Sequence, residues 1–310
     1  MEREKIISEI ARLKKEKDVI ILAHFYTDPE VQNLADYIGD SLGLSQMAAN
    51  TSAKIILFCG VKFMAETASI IAPGKKVLLP DPTSGCSLAE SINSSDVIAW
   101  KKKNPKGVVV SYVNTTAEVK AYTDICCTSA NAIDVINSIP DGKKIFFIPD
   151  KNLATYVKIM TGKDIEIWGG DCCVHEYYDT KLVLEEVERY PDAELLIHPE
   201  SNCSHDPVIY KKSNSYILST TGMIKRVGES PANRFLVVTE PGVIYRMKKL
   251  YPDKEFIPCD EYNECMQMRK ITLEKMLISL RDEVHEVKVP EDIRLRAYPS
   301  IEKMLTLNYL

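Results

Sequence analysis

The chain has 310 residues, 45% hydrophobic and 27% charged, with a formal net charge of −5, which is enough polypeptide for about two to three domains with buried cores. Its basic clusters (Lys14 with Lys15, and 101–103) are short and offer no stripe for a nucleic acid. Charges interrupt the first twenty positions and no apolar run approaches the roughly 18 residues of a membrane span, so a cytoplasmic protein with neither a membrane nor a nucleic-acid partner is expected.

Short β-rich apolar runs alternate with amphipathic stretches along the chain, the pattern of an α/β protein with parallel sheets. A helix over 2–17 leads into a strand at 19–23, and further strands are predicted at 55–58, 77–79, 108–112, 145–148, 165–168, 195–198, 235–238 and 255–257. Helical periodicity fills 62–71, 130–139, 151–160 and 242–250. A helix over 269–280, an extended 287–290 and a short helix at 301–307 complete the series.

Internal repetition sets the expected domain organisation. Polar strand ends recur as Ala23-His24-Phe25-Tyr26, Ser111-Tyr112-Val113-Asn114 and Ile197-His198-Pro199-Glu200, with His24, Tyr112 and His198 spaced by 88 and 86 residues. Hydroxyls lead into a helix at Ser41, Ser129 and the Ser219-Thr220 pair. A third strand end recurs as Phe58-Cys59-Gly60, Ile148-Pro149-Asp150 and Thr239-Glu240-Pro241, and a fourth run leads to Cys86, Cys172 and Cys265. The expectation is three homologous three-layer α/β/α sandwich domains with parallel four-stranded sheets around a pseudo-threefold axis. Their bounds are 1–86, 87–173 and 174–269, with 270–310 packing back on the first.

Ligands of parallel sheets bind beyond the carboxyl ends of the strands, so three such ends meeting on an axis make one central cavity. Ser41, Ser129, Ser219 and Thr220 are read as helix N-caps, where hydroxyls and free N–H groups favour carboxylates or phosphates without much positive charge. Nine cysteines in an unsecreted chain do not form a disulfide framework. One per repeat, Cys86, Cys172 and Cys265, gives three soft thiolates suited to a [4Fe–4S] cluster with one iron left open, and an open metal position polarises a substrate oxygen. Zinc competes, since Cys172 and His175 have C-x-x-H spacing and His198, Cys203 and His205 cluster locally, but no second C-x-x-C pair completes a ribbon. His24, Tyr26, Tyr112, His198 and Glu200 can move protons, whereas His175 and His285 read as structural or supporting. No G-x-x-x-x-G-K-[ST] or G-x-G-x-x-G motif is present, which disfavours nucleotide cofactors.

In this order the pieces resemble the quinolinate synthase family over nearly the whole chain. They are Ala23-His24-Phe25-Tyr26, Gly39-Asp40-Ser41-Leu42, Phe63-Met64-Ala65-Glu66-Thr67, Gly85-Cys86-Ser87-Leu88, Ser111-Tyr112-Val113-Asn114, Cys126-Cys127-Thr128-Ser129-Ala130-Asn131, His198-Pro199-Glu200, Ser219-Thr220, Thr239-Glu240 and Met268-Arg269-Lys270-Ile271-Thr272-Leu273-Glu274. The resemblance implies an enzyme that condenses iminoaspartate with dihydroxyacetone phosphate, losing phosphate and two waters, to give quinolinate for NAD biosynthesis. It implies a [4Fe–4S] cluster on Cys86, Cys172 and Cys265, and an aspartate oxidase or aspartate dehydrogenase as the supplier of iminoaspartate. Tyr26 and Glu200 resemble the acid–base residues, with His198 and Tyr112 beside them; His24, Ser41, Tyr112, Asn114, Ser129, His198, Glu200, Ser219 and Thr220 resemble the substrate-binding set.

Two stretches depart from the family pattern. Ser201 follows Glu200 where the family commonly has cysteine, the nearest cysteine being Cys203, and the Cys259 to Cys265 spacing is not C-x-x-C, so no regulatory disulfide is expected. Other readings of a three-cysteine cluster are a diphthamide-type radical enzyme, which splits S-adenosylmethionine and acts on a translation factor, and a cluster-bearing redox sensor. The first leaves His24, Tyr26, His198 and Glu200 without work; the second predicts that Glu200→Gln is tolerated.

Overall fold

The computed structural model describes residues 3–307. The ends of the expected first and C-terminal segments, residues 1, 2 and 308–310, lie outside the described residues.

Twelve strands among the described residues form three parallel four-stranded sheets with one topology. β1 (Val19–His24), β2 (Tyr37–Gly39), β3 (Ile55–Cys59) and β4 (Lys76–Leu78) stand in the order β2-β1-β3-β4. β5 (Val108–Tyr112), β6 (Ile125–Cys127), β7 (Ile145–Ile148) and β8 (Ile165–Ile167) repeat it as β6-β5-β7-β8. β9 (Glu194–Ile197), β10 (Ser215–Ile217), β11 (Arg234–Val238) and β12 (Glu255–Pro258) give β10-β9-β11-β12. The chain is α/β, with helices around each sheet.

Continuous apolar strands such as β3, buried at every position, are what a sheet covered on both faces demands. Alternation decides which face each residue serves. In the third sheet Leu196 and Val237 join the large core shared by the whole molecule. Their neighbours Leu195, Ile197, Leu236 and Val238 fill a separate outer core with Val183 and Tyr178. The second sheet divides likewise, Val110 and Phe147 facing the shared core while Val109, Phe146 and Ile148 pack with Trp100 outside.

Registers place the repeated motifs at equivalent positions. Ala23 pairs with Cys59, Ser111 with Ile148 and Ile197 with Val238, so His24, Tyr112 and His198 each stand one residue further on, and Tyr26, Asn114 and Glu200 three. On the other side His24 pairs with Gly39, Tyr112 with Cys127 and Ile197 with Ile217, which makes Ser41, Ser129 and Thr220 equivalent and puts Ser219 level with Asp40 and Thr128.

After a 3₁₀ turn at Met268–Lys270, the helix predicted at 269–280 runs over Leu273–Asp282, because Thr272 caps it by accepting from Lys275 N at 3.4 Å. It packs against Arg3–Glu16. The last helix is longer than periodicity suggests, Glu291–Thr306, since it starts straight after Pro290 and continues through Pro299. It crosses β6 and Ala117–Lys120 and also meets Lys62–Ile71. No helix among the described residues is long and apolar enough to cross a membrane.

Candidate active site

The carboxyl ends of all three sheets open on one cavity of ≈ 90 Å³. His24, Tyr26, Ser41, Cys86, Tyr112, Asn114, Ser129, Cys172, His198, Glu200, Thr220 and Cys265 all line it. Ser219 does not; it borders a neighbouring cavity of ≈ 350 Å³ that shares Asp40 and Ser129 with the first.

The caps explain that exception and correct the N-cap expectation. Asp40 caps Ser41–Asn50 by accepting from Gly43 N at 2.9 Å, so Ser41 is the first helical residue. Ser129 precedes Asn131, which stands at the N-cap of Ala132–Ser138, whereas Ser219 caps Thr220–Glu229 by accepting from Gly222 N at 3.2 Å. Only Ser219 spends its oxygen on a helix, and the equivalent Ser41, Ser129 and Thr220 face the cavity.

Glu200 organises the polar wall. It is 3% exposed and accepts a short hydrogen bond from Tyr112 Oη. Its oxygens lie 3.5 Å from His198 Nδ1 and 3.6 Å from His175 Nδ1, while its backbone carbonyl accepts from Asn152 Nδ2 at 3.0 Å. Burial works against the carboxylate, but His175, His198 and the Tyr112 hydroxyl outweigh it and hold Glu200 below the usual carboxylate range. The imidazoles of His175 and His198 stack with centroids 4.5 Å apart. Burial pulls His24 and His198 down to about 3, so both are neutral near pH 7, and it raises the Tyr26 and Tyr112 phenols well above their ordinary value.

Thr239 joins the two sides of the cavity. Its Oγ1 lies 2.8 Å from Tyr26 Oη and 2.8 Å from His175 Nε2, and His175 Nδ1 is 3.3 Å from Cys172 Sγ. Periodicity gives Thr239 no role and leaves His175 structural; the only sequence signal for His175 is its C-x-x-H spacing from Cys172, which places it on the short helix Cys173–Glu176 beside that thiol. Asn114 Oδ1 is buried without a partner, an acceptor left for a ligand. Val61, Phe63, Met64 and Leu88 form the apolar wall, and no lysine or arginine is among the described residues that line the cavity.

The three cysteines enter from the loops that follow β4, β8 and β12, all as free thiols. Burial pushes the Cys86 thiol up to about 12, opposed by the N–H groups of Ala89 and Leu88. Cys172 is likewise raised by burial, with Glu200 and Cys86 adding to it and the His175 N–H opposing. Cys265 is raised by burial against the N–H groups of Met268 and Gln267. Three soft donors, each facing N–H groups of the turn after it, fit a thiolate-ligated cluster. Cys172, His175 and Glu200 also converge, their ligand atoms all within 4.8 Å of one another, a set suited to a single ion. Cys173 borders the cavity but is exposed, whereas Cys172 meets His175.

Residues 8–306 match the family described as quinolinate synthetase A protein. The chain is 49% identical to quinolinate synthase of Pyrobaculum aerophilum over 299 residues, covering 96% of this chain and 97% of that one. It is 46% identical to a quinolinate synthase of Thermus thermophilus over 307 residues (99% of each) and 46% identical to that of Gloeothece citriformis over 308 (98% and 94%). At that identity over nearly full length, the chain belongs to the quinolinate synthetase A family.

Proposed function

We propose that this chain is a quinolinate synthase, an enzyme of NAD biosynthesis that condenses iminoaspartate with dihydroxyacetone phosphate and releases phosphate and two waters. The observation that carries the reading is convergence: three free thiols, three equivalent hydroxyls and a buried Tyr26–Glu200–Tyr112 group share one cavity in a chain about half identical to enzymes of that name. We take it to be cytoplasmic and to receive iminoaspartate from an aspartate oxidase or aspartate dehydrogenase.

Both substrates are anions, yet no lysine or arginine is among the described residues of the cavity wall. Ser41 and Thr220, first residues of their helices, present hydroxyls and free N–H groups to carboxylate or phosphate, with Ser129 as the third donor. Ser219 acts through the helix it caps. His24, His198 and Asn114 orient carbonyl and amine groups. Glu200, an anion beside the neutral His198, is the base, and the un-ionised Tyr26 phenol is the acid; Tyr112 donates to Glu200 and sets its direction. The string Tyr26–Thr239–His175 gives a proton leaving or reaching Tyr26 a hydrogen-bonded path.

Cys86, Cys172 and Cys265 would hold the [4Fe–4S] cluster. When bound, it supplies an open Lewis-acidic iron that polarises a substrate oxygen for loss of hydroxide. A single ion on Cys172, His175 and Glu200 would leave Cys86 and Cys265 as idle thiols on the same wall and would take away the base. Supplying the anaerobic protein with dihydroxyacetone phosphate and freshly generated iminoaspartate tests the function. Quinolinate that forms only when both are present is the expected result, and none from a cluster-loaded protein overturns it.

A further inference from the structure

The motifs Thr239-Glu240 and Met268-Arg269-Lys270 contribute no side chain of Glu240 or Arg269 to the cavity wall, yet they meet behind it. Glu240 is fully buried and stands after β11 at the position equivalent to Val61 and Asp150. Its Oε1 accepts from the backbone N–H of Cys265 at 3.3 Å and from Arg269 Nη2 at 2.8 Å, and the N–H of Arg269 donates to the Cys265 carbonyl at 3.1 Å. These three bonds close a ring around the turn that carries the Cys265 sulfur. The other oxygen, Oε2, accepts from Gly242 N at 2.7 Å. Gly242 in turn lies so close to the first sheet's loop that an added Cβ would be 2.9 Å from the Phe25 carbonyl and 3.0 Å from Tyr26 Cα.

We propose that Glu240, clamped by Arg269, is a positioning residue that fixes the Cys265 backbone for cluster binding and ties it to the loop bearing Tyr26. This rests on the cluster reading above. Groups that orient metal ligands without touching the metal typically change affinity by about 10- to 100-fold when removed, because a ligand left to find its own direction gives up preorganisation.

The test uses the anaerobically reconstituted full chain and follows iron release to a chelator, together with the electron paramagnetic resonance spectrum of the reduced cluster. Glu240→Gln should lose iron at least about tenfold faster than the unaltered protein and shift the spectrum. Asp28→Asn removes the charge of a different Arg269 partner, one at 3.0 Å with no bond to Cys265, and should leave rate and spectrum close to those of the unaltered protein. Should Glu240→Gln fail to fold, Glu240→Asp keeps the charge for Arg269 while drawing the carboxylate back from Cys265, and should give the same acceleration. An unaltered spectrum and release rate in the Glu240 variant, or equal acceleration in Asp28→Asn, overturns the proposal with the cluster reading intact. An unaltered protein that takes up no iron removes both.

Discussion

Glu200 sits among three groups that favour its anion, so the charge it carries at neutral pH is set by neighbours rather than by solvent. Glu200→Gln should lower quinolinate turnover by about 10²- to 10⁴-fold while iron content stays unchanged, a split that assay and metal analysis on one sample resolve. Thr239→Val removes the oxygen shared by Tyr26 and His175 and should cost about 10²-fold in kcat, with Thr239→Ser restoring most of it; equal loss in both variants would point to packing instead. His24 and His198 are neutral in the fold, with pKa about 3 against 6.5 for a free imidazole. The unfolded chain therefore takes up protons first, so stability is whole above about pH 6.5 and falls as pH drops toward 3, by about 1.4 kcal/mol per unit for each histidine. Urea titration of the iron-free protein at about pH 7.5 and about pH 5.5 should show that loss, and His24→Asn should shrink it. His24, Tyr112 and His198 are legible in the sequence because they end strands at one spacing. Thr239 is not, since a single hydroxyl after an apolar strand acquires meaning only when the folded chain sets it between Tyr26 of the first sheet's loop and His175 of the helix Cys173–Glu176.

Helix starts are the least legible elements. A serine before an amphipathic stretch reads as a cap, but Asp40 competes for the same N–H groups one residue earlier and frees Ser41 for the cavity. Periodicity shortens the helix Glu291–Thr306 because a proline breaks the local pattern at Pro299; its burial is supplied by distant elements, with Ile301 and Met304 inside the shared core. Strand interiors are easy by comparison, since Ile55 to Cys59 is apolar throughout and has no other home than a sheet covered on both faces. Gly242 shows how one element fixes another: a Cβ there meets backbone of the first sheet's loop, which cannot rotate away. Gly242→Ala should cost about 1–3 kcal/mol of stability and reduce turnover through Tyr26. Gly74→Ala, with nothing within 4 Å of its Cβ, should change stability by less than about 0.5 kcal/mol. Chemical denaturation of the two variants separates these outcomes, and a neutral Gly242→Ala would mean that the two loops are free to part.

Three sheets of one topology share a single large core, and that arrangement is why groups spaced by nearly ninety residues in sequence line the same cavity. The repeat is visible from spacing, and strand registers place its members at equivalent positions. What spacing cannot supply is the convergence itself, which depends on how the three sheets pack and on the helix Glu291–Thr306, which meets elements of both the first and the second repeat. The central claim is that this convergence builds a cluster-dependent quinolinate synthase. Its most direct test measures quinolinate formation, iron and sulfide on one anaerobically purified sample supplied with both substrates. Quinolinate formed by protein carrying about four iron and four sulfide per chain is the predicted result. A loaded cluster without product, or product from protein holding a single zinc and no sulfide, would contradict it.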